Sequence, residues 1–255
     1  MEVDVTDSSR ESRVLDAVVT VVDSLLGDFD VVELLTDLTE HCSELLDVSA
    51  AGLLLAGPGR QLHLMAATSE SSRLVELSQL HADQGPCVDC YSTAAPVSVP
   101  DLSAQEQRWP DFVPAAIEAG FASVHAVPMR AAGLTLGALG LFGADTGELS
   151  EADLLVAHTL AHLACVAIMQ GHPSTAVSIL PRLHTAVNNR VIIEQAKGFV
   201  SAAIDVPVPN AYSLLRSYAR ANHVHLSEVC RRMISDPDTR EVVLSAVGST
   251  QAELS

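Results

Sequence analysis

Three sets of side chains in this sequence have the types and spacing that chemistry requires. The first lies in the run RVIIEQAKGFV, where Arg190, Glu194 and Lys197 follow one another at spacings of four and three. On a helix that spacing puts two cations and a carboxylate on one face. Such a face is either an ion ladder, worth about 0.2–0.5 kcal/mol per pair, or a cationic surface able to meet phosphate. Lys197 is the only lysine in the chain. Tyr212, Arg216 and Arg220 follow at steps of four, which sets one aromatic ring beside two guanidinium groups. That composition suits unpaired bases of RNA hairpin loops, which stack on an aromatic or arginine plane while guanidinium contacts phosphate. The alternative is that Tyr212 lines a core with Leu215 and Ala219 and both arginines are merely solvated. Arg231 and Arg232 extend the positive surface.

The second set is Cys87 and Cys90, a CxxC that admits redox or ligand-binding roles as well as a purely structural one. No second CxxC accompanies it, so a zinc site would need His81 or His125 brought in by folding. The third is His158 and His162, four apart on a helical pattern. Thr159 stands where an HExxH protease needs glutamate, which leaves partly buried or interfacial imidazoles as the expectation. No glycine-rich phosphate loop, GxSxG turn or paired-carboxylate arrangement is present. The reading is therefore a non-enzyme without metal or cofactor, in which Trp109 packs a loop.

The elements that must position these residues follow from periodicity. Apolar spacings of three and four predict helices over 14–26 and 31–46, the second opened by Asp30 and Glu33 as a capping box. Two short apolar runs, 50–56 and 61–68, flank Gly57, Pro58, Gly59 and Arg60 as a hairpin, and a short helix follows over 72–80. Residues 84–114 carry Pro86, Pro96, Pro100, Pro110 and Pro114 and read as an ordered long loop with short elements. A second strand pair, 121–129 and 134–142, turns at Gly133, and Ser150 with Asp153 caps a helix running to about 170. Gly171, His172 and Pro173 end it. Beyond lie helices over 181–203, 211–221 and 226–234, in which Leu183, Val187, Val191, Leu214, Leu215, Tyr218, Leu226 and Val229 supply apolar faces and Gly198 permits another helix to approach.

Composition and charge agree with two domains. The 255 residues are 48% apolar, with a positive mean hydropathy of +0.29, which excludes an extended disordered chain. The polar, acidic first ten residues lack a secretory pattern, and residues 154–169 are too short and too polar for a membrane span. Five scattered cysteines suit reduced thiols in a cytoplasm. The net charge of −18 argues against nucleic acid until it is mapped. Residues 1–173 hold six arginines against 25 acidic residues, a balance of −19, whereas residues 174–234 hold seven basic against three acidic, a balance of +4. This asymmetry fits a nucleic-acid-binding tail on an acidic regulatory domain.

The strings RVIIEQAKGFVSAAI, NAYSLLRSYARAN and HLSEVCRRM together resemble the ANTAR family of RNA-binding antitermination domains over about fifty residues. The resemblance implies a three-helix module that binds paired hairpins in a nascent leader transcript, with RNA contact on Arg190, Lys197, Tyr212, Arg216 and Arg220. Pro207 and Pro209 replace the acidic run usual before the second helix, and Ala203, His225 and Ser227 stand where related modules often carry basic residues. Upstream, QGPC (Gln84–Cys87), PVSVPDL (Pro96–Leu102), RWP (Arg108–Pro110), Ala119–Arg130 and LGALGLF (Leu136–Phe142) resemble a GAF domain, a small-molecule sensing module often fused to ANTAR domains in actinobacteria. That implies a central antiparallel sheet flanked by helices, with a pocket between the sheet and the long loop.

The expected fold is α+β, with a GAF-like sensor over 14–170, an all-α RNA-binding module over 174–236 and a C-terminal tail over 237–255. The expected function is a cytoplasmic, homodimeric, signal-responsive antitermination regulator that meets no membrane and takes an unidentified small-molecule effector or protein partner at its GAF-like domain. Two alternatives remain: a thiol-dependent reductase of the GAF type working through Cys87 and Cys90, and a dimeric interaction protein that binds no RNA.

Overall fold

A computed structural model describes residues 5–170 and 176–254. It divides into two compact units, 1–184 and 185–255, each described by itself.

In the first unit, α1 (Val5–Leu26) and α2 (Val31–Leu45) lead into strands β1 (Ala50–Ala56) and β2 (Leu62–Ala67), joined through a 3-10 turn at Pro58–Arg60. Asp30 opens α2 as expected: its carboxylate accepts the backbone N–H groups of Val32 and Glu33. Next come α3 (Glu70–Ala82), α4 (Pro86–Thr93), β3 (Val97–Val99), α5 (Phe112–Glu118), β4 (Ser123–Ala131), β5 (Leu134–Gly143) and α6 (Glu151–Met169). The strands form one antiparallel sheet in the order β2-β1-β5-β4-β3. Helices α1, α2 and α6 pack together on one face, and α3, α4 and α5 on the other. With both faces covered, every residue of β1 is buried. Ala50 and Leu54, four apart and so on one face of β1, join two apolar clusters beneath α3, α4 and α5: Ala50 with Trp109, Phe112 and Phe142, and Leu54 with Cys87 and Cys90.

Residues 84–114 are thus far more regular than their prolines suggest. Pro86 begins α4 instead of breaking a helix, because a first-turn proline gives up no intrahelical hydrogen bond. Trp109 packs this segment as expected, edge-on to Phe112 at 6.2 Å. Helix α6 is long and apolar enough to cross a membrane by length and composition. It packs instead against β4 and α2, burying Ala157, Leu160, Ala161, Ala164 and Cys165. The Asp153 carboxylate at its start accepts from Ser150 and from Arg10 of α1.

The boundary between the units falls within α7 (Ala176–Ile204), after His184. The second unit continues with α8 (Val208–Ala221), α9 (Leu226–Ser235) and α10 (Pro237–Leu254). Its core draws Ile193, Ala196 and Val200 from α7, Leu214, Leu215 and Ala219 from α8, Val229, Cys230 and Met233 from α9, and Val243 and Val247 from α10. Residues 237–254, which the sequence reading treats as a tail, form a helix packed on α8 and α9. Two expectations about α7 fail. Val191 is 50% exposed rather than buried, and among the described residues a Cβ at Gly198 would meet no atom within 4 Å, so no other helix approaches closely there.

Candidate functional site

On α7 the seven-residue interval between Arg190 and Lys197 brings both cations to the same carboxylate. Glu194 Oε1 accepts from Arg190 Nη2 at 2.6 Å and from Lys197 Nζ at 2.8 Å. The ladder anticipated from spacing is therefore present. Only 14% of the Arg190 side chain and 13% of the Lys197 side chain is exposed, against 42% of Glu194. The Lys197 ammonium also lies 5.5 Å from the centroid of the Tyr212 ring, a cation–π contact that links α7 to α8. Tyr212 is half-buried on α8, and one and two turns further along come Arg216, half-buried, and Arg220, exposed. Of the five residues singled out by sequence, Arg190, Lys197 and Tyr212 are thus connected across two helices, and Arg216 and Arg220 follow one and two turns further along α8.

On α9, Glu228 accepts from Arg231 at 2.6 Å and from Arg232 at 2.7 Å. Its carboxyl is held below the usual range, chiefly by the Arg232 hydrogen bond and also by Arg231. Arg231 reaches further, to the Asn189 side chain of α7 at 2.8 Å.

The first unit holds a buried polar group that periodicity does not reveal. Glu76 of α3 has no exposed surface. It accepts from the Gln79 side-chain amide and from the Cys87 thiol at 3.7 Å, and Gln79 in turn accepts the Cys87 backbone N–H at 3.1 Å. Glycines make the space: a Cβ at Gly52 of β1 or Gly140 of β5 would lie 2.5 or 2.6 Å from Glu76 Oε1. Burial raises the Glu76 carboxyl to about 8. Gly52 and Gly140 face each other across β1 and β5, a pairing that local sequence does not reveal.

Cys87 and Cys90 are both fully buried. Burial, then the neighbouring Glu76 carboxyl, pushes the Cys87 thiol well up, and burial pushes Cys90 up to about 12. A nucleophilic cysteine needs thiolate character and access, and these have neither. Zinc fares no better. His125 is taken by the Ser98 hydroxyl at 2.8 Å and the Gly147 carbonyl at 3.2 Å, and among the described residues no group of three or more His, Cys, Asp or Glu side chains is placed to hold a metal. His158 and His162 stand 6.5 Å apart between ring centroids, with the His158 imidazole lowered by burial and by its neighbour.

Residues 30–169 match the GAF domain family and residues 182–234 match the ANTAR domain family. No curated protein matches the chain. Among solved structures it is similar to the GAF domain of an Acinetobacter phosphoenolpyruvate-protein phosphotransferase, with 17% identity, a TM-score of 0.49 and coverage of 63% of this chain and 97% of that one. The GAF domain of the corresponding phosphotransferase from Coxiella burnetii is similar at 16% identity and a TM-score of 0.49, covering 62% and 94%. So is the free methionine-R-sulfoxide reductase of Neisseria meningitidis, solved with its substrate, at 17% identity and a TM-score of 0.48, covering 60% and 87%. The chain belongs to the GAF domain family, and the ANTAR domain that follows its GAF domain makes it an RNA-binding regulator of the antitermination kind.

Proposed function

We propose that the protein is a cytoplasmic, homodimeric regulator in which the sensor module, residues 14–170, controls binding of a paired-hairpin leader transcript by the helical module, residues 174–236. RNA contact rests on Arg190, Lys197, Tyr212, Arg216 and Arg220. The observation that carries this reading is the Lys197–Tyr212 contact between α7 and α8, within a segment that matches an antitermination family and whose charge is opposite in sign to the rest of the chain. Arg220 is exposed and Arg216 half-exposed beyond the ring, so a looped-out base on Tyr212 would have guanidinium groups beside its phosphates. Arg190 and Lys197 already share Glu194, and phosphate must displace or share that carboxylate.

Gel retardation of a two-hairpin RNA by the full chain, at low salt, tests this. Arg216→Glu and Arg220→Glu should each weaken retention at least about tenfold, the loss of one or more phosphate contacts, while the oligomeric state by light scattering stays that of the wild type. Glu194→Gln should strengthen retention. Wild-type protein that retains no RNA, or charge reversals that leave retention unchanged, would overturn the assignment in favour of an interaction module. Nothing in the geometry favours the thiol-dependent reductase, since Cys87 and Cys90 are sealed and held as neutral thiols.

A further inference from the structure

Beside the β1–β2 turn, the ends of α3 and α4 enclose an open pocket of about 600 Å³. That is within the size range of small-molecule sites. Its apolar lining comes from Leu62, Leu80 and Val88, and the buried Tyr91 ring forms part of the wall. Two charges of opposite sign stand at its mouth, Arg60 from the turn and Asp83 from the end of α3. Arg10, Arg73 and Arg108 are each bound to a carboxylate. The Arg60 guanidinium instead lies over the Tyr91 ring, 6.0 Å from its centroid. Among the described residues neither Arg60 nor Asp83 has a side-chain ion pair. In a segment with so few cations among so many acids, an arginine that takes no carboxylate is available to an anion from outside.

Both residues also hold left-handed backbone, with φ of +64° for Arg60 and +52° for Asp83. For arginine this conformation is costly and is found where the surroundings enforce it, ligand sites among them. The turn that imposes it, with Gly59 at φ +70°, fixes where the Arg60 side chain departs.

We infer that this pocket binds a free α-amino acid with an apolar side chain. The carboxylate would meet Arg60, the ammonium would meet Asp83, and the side chain would lie on Tyr91, Leu62, Leu80 and Val88. A zwitterion satisfies both rim charges at once, whereas a simple anion or cation leaves one of them unmatched and beside a like charge. The two charges are exposed, so each ion pair is individually weak and selectivity comes from the pair together with burial of the side chain. The inference rests on the sensor reading for its regulatory meaning alone. The binding itself is independent of RNA.

Isothermal titration of the full chain, without RNA, uses L-phenylalanine and L-leucine as probes. Two analogues each lack one charge: 3-phenylpropionate has no ammonium and phenethylamine no carboxylate. At least one amino acid should bind saturably, one per chain, and phenylalanine should bind at least about tenfold tighter than either analogue, a difference of ~1.4 kcal/mol. Arg60→Gln should abolish the preference for phenylalanine over phenethylamine, and Asp83→Asn the preference over 3-phenylpropionate. Both positions are exposed, and unchanged melting temperatures in the absence of probe establish that the variants are folded. No saturation by either amino acid up to about 10 mM, a range about tenfold weaker than millimolar binding, overturns the inference. So does binding that survives Arg60→Gln with its selectivity intact. Failure of RNA retention with amino-acid binding preserved would sink the antitermination assignment and leave this one standing.

Discussion

Glu76 places an ionisable group where solvent cannot reach it, and pH therefore acts on the fold of the sensor through one residue. Its carboxyl titrates at about 8 in the folded protein, against an ordinary value of 4.5. The fold thus favours the neutral acid. Below about 4.5 both folded and unfolded chains carry the proton and stability is at its full value. Between there and about 8 the unfolded chain is ionised and the folded chain is not, so the folded state binds more protons and stability falls as pH rises, by up to about 1.4 kcal/mol per pH unit. Above 8 this contribution levels off. Glu76→Gln removes the titration and keeps the shape of the side chain. Urea midpoints of the two proteins should therefore diverge from pH 6 to pH 8.5, the variant gaining on the wild type by a few kcal/mol. Parallel pH profiles would mean that the carboxyl is ionised in the fold, contrary to its surroundings of Gly52, Gly140, Gln79 and Cys87.

At the scale of elements, the sheet depends on one close approach that a glycine permits. A Cβ at Gly137 of β5 would stand 1.9 Å from the Leu54 carbonyl oxygen of β1, and neither strand can yield without breaking the β1–β5 ladder. Gly52 meets a side chain instead, the buried Glu76, with Oε1 at 2.5 Å and Cγ at 2.8 Å, which can shift by loosening its hydrogen bonds with Gln79 and Cys87. Gly137→Ala is accordingly expected to cost about 3 kcal/mol or more, while Gly52→Ala costs about 1–2 kcal/mol; equal urea midpoints for the two variants would contradict this account of β1–β5 pairing. Much of the element pattern was legible. The capped starts of α2 and α6, the two hairpins, the end of α8 and the extent of α9 follow from Asp30, Ser150, Gly133 and apolar spacing, whereas α8 begins at Val208, three residues before the expected Ala211, because Pro209 is tolerated in its first turn. Turn signals pair β1 with β2 and β4 with β5 but say nothing of how the hairpins meet, so the β1–β5 pairing and the place of β3 beside β4 were not legible. Helix α10 was legible in principle, because Asp236 caps Asp238 and Thr239 just ahead of Pro237 and valines recur at 243 and 247. Its many polar residues concealed it. For the site, the helical faces of α7 and α8 were readable from spacing. The bridging role of Glu194 between two cations was readable as well, but their low exposure was not, because it depends on packing of their stems in three dimensions.

Across the whole molecule, charge is divided so that attraction and repulsion toward RNA operate over different distances. Residues 174–234 carry +4 within a chain of net charge −18. At about 0.01 M salt the screening length is ~30 Å and an approaching polyanion feels the entire protein, whereas at about 0.1 M it is ~10 Å and the nearby patch dominates. Once bound, phosphates release counterions, and that equilibrium weakens with salt, by a slope of about −0.7 to −0.9 for each phosphate neutralised. Rate and equilibrium should therefore respond to salt in opposite directions at low ionic strength. Stopped-flow measurements with a labelled two-hairpin RNA should give an association rate constant that rises between about 0.01 and 0.1 M salt as long-range repulsion is screened. Over the same range affinity should fall, through a faster dissociation rate. Removing acidic residues from the first unit should flatten the rise in association rate, and Arg216→Gln should reduce the equilibrium slope by about one contact. An association rate that instead falls steadily over this range would mean that the acidic sensor exerts no long-range repulsion on the RNA. The charge asymmetry would then carry no weight in how the protein finds its transcript.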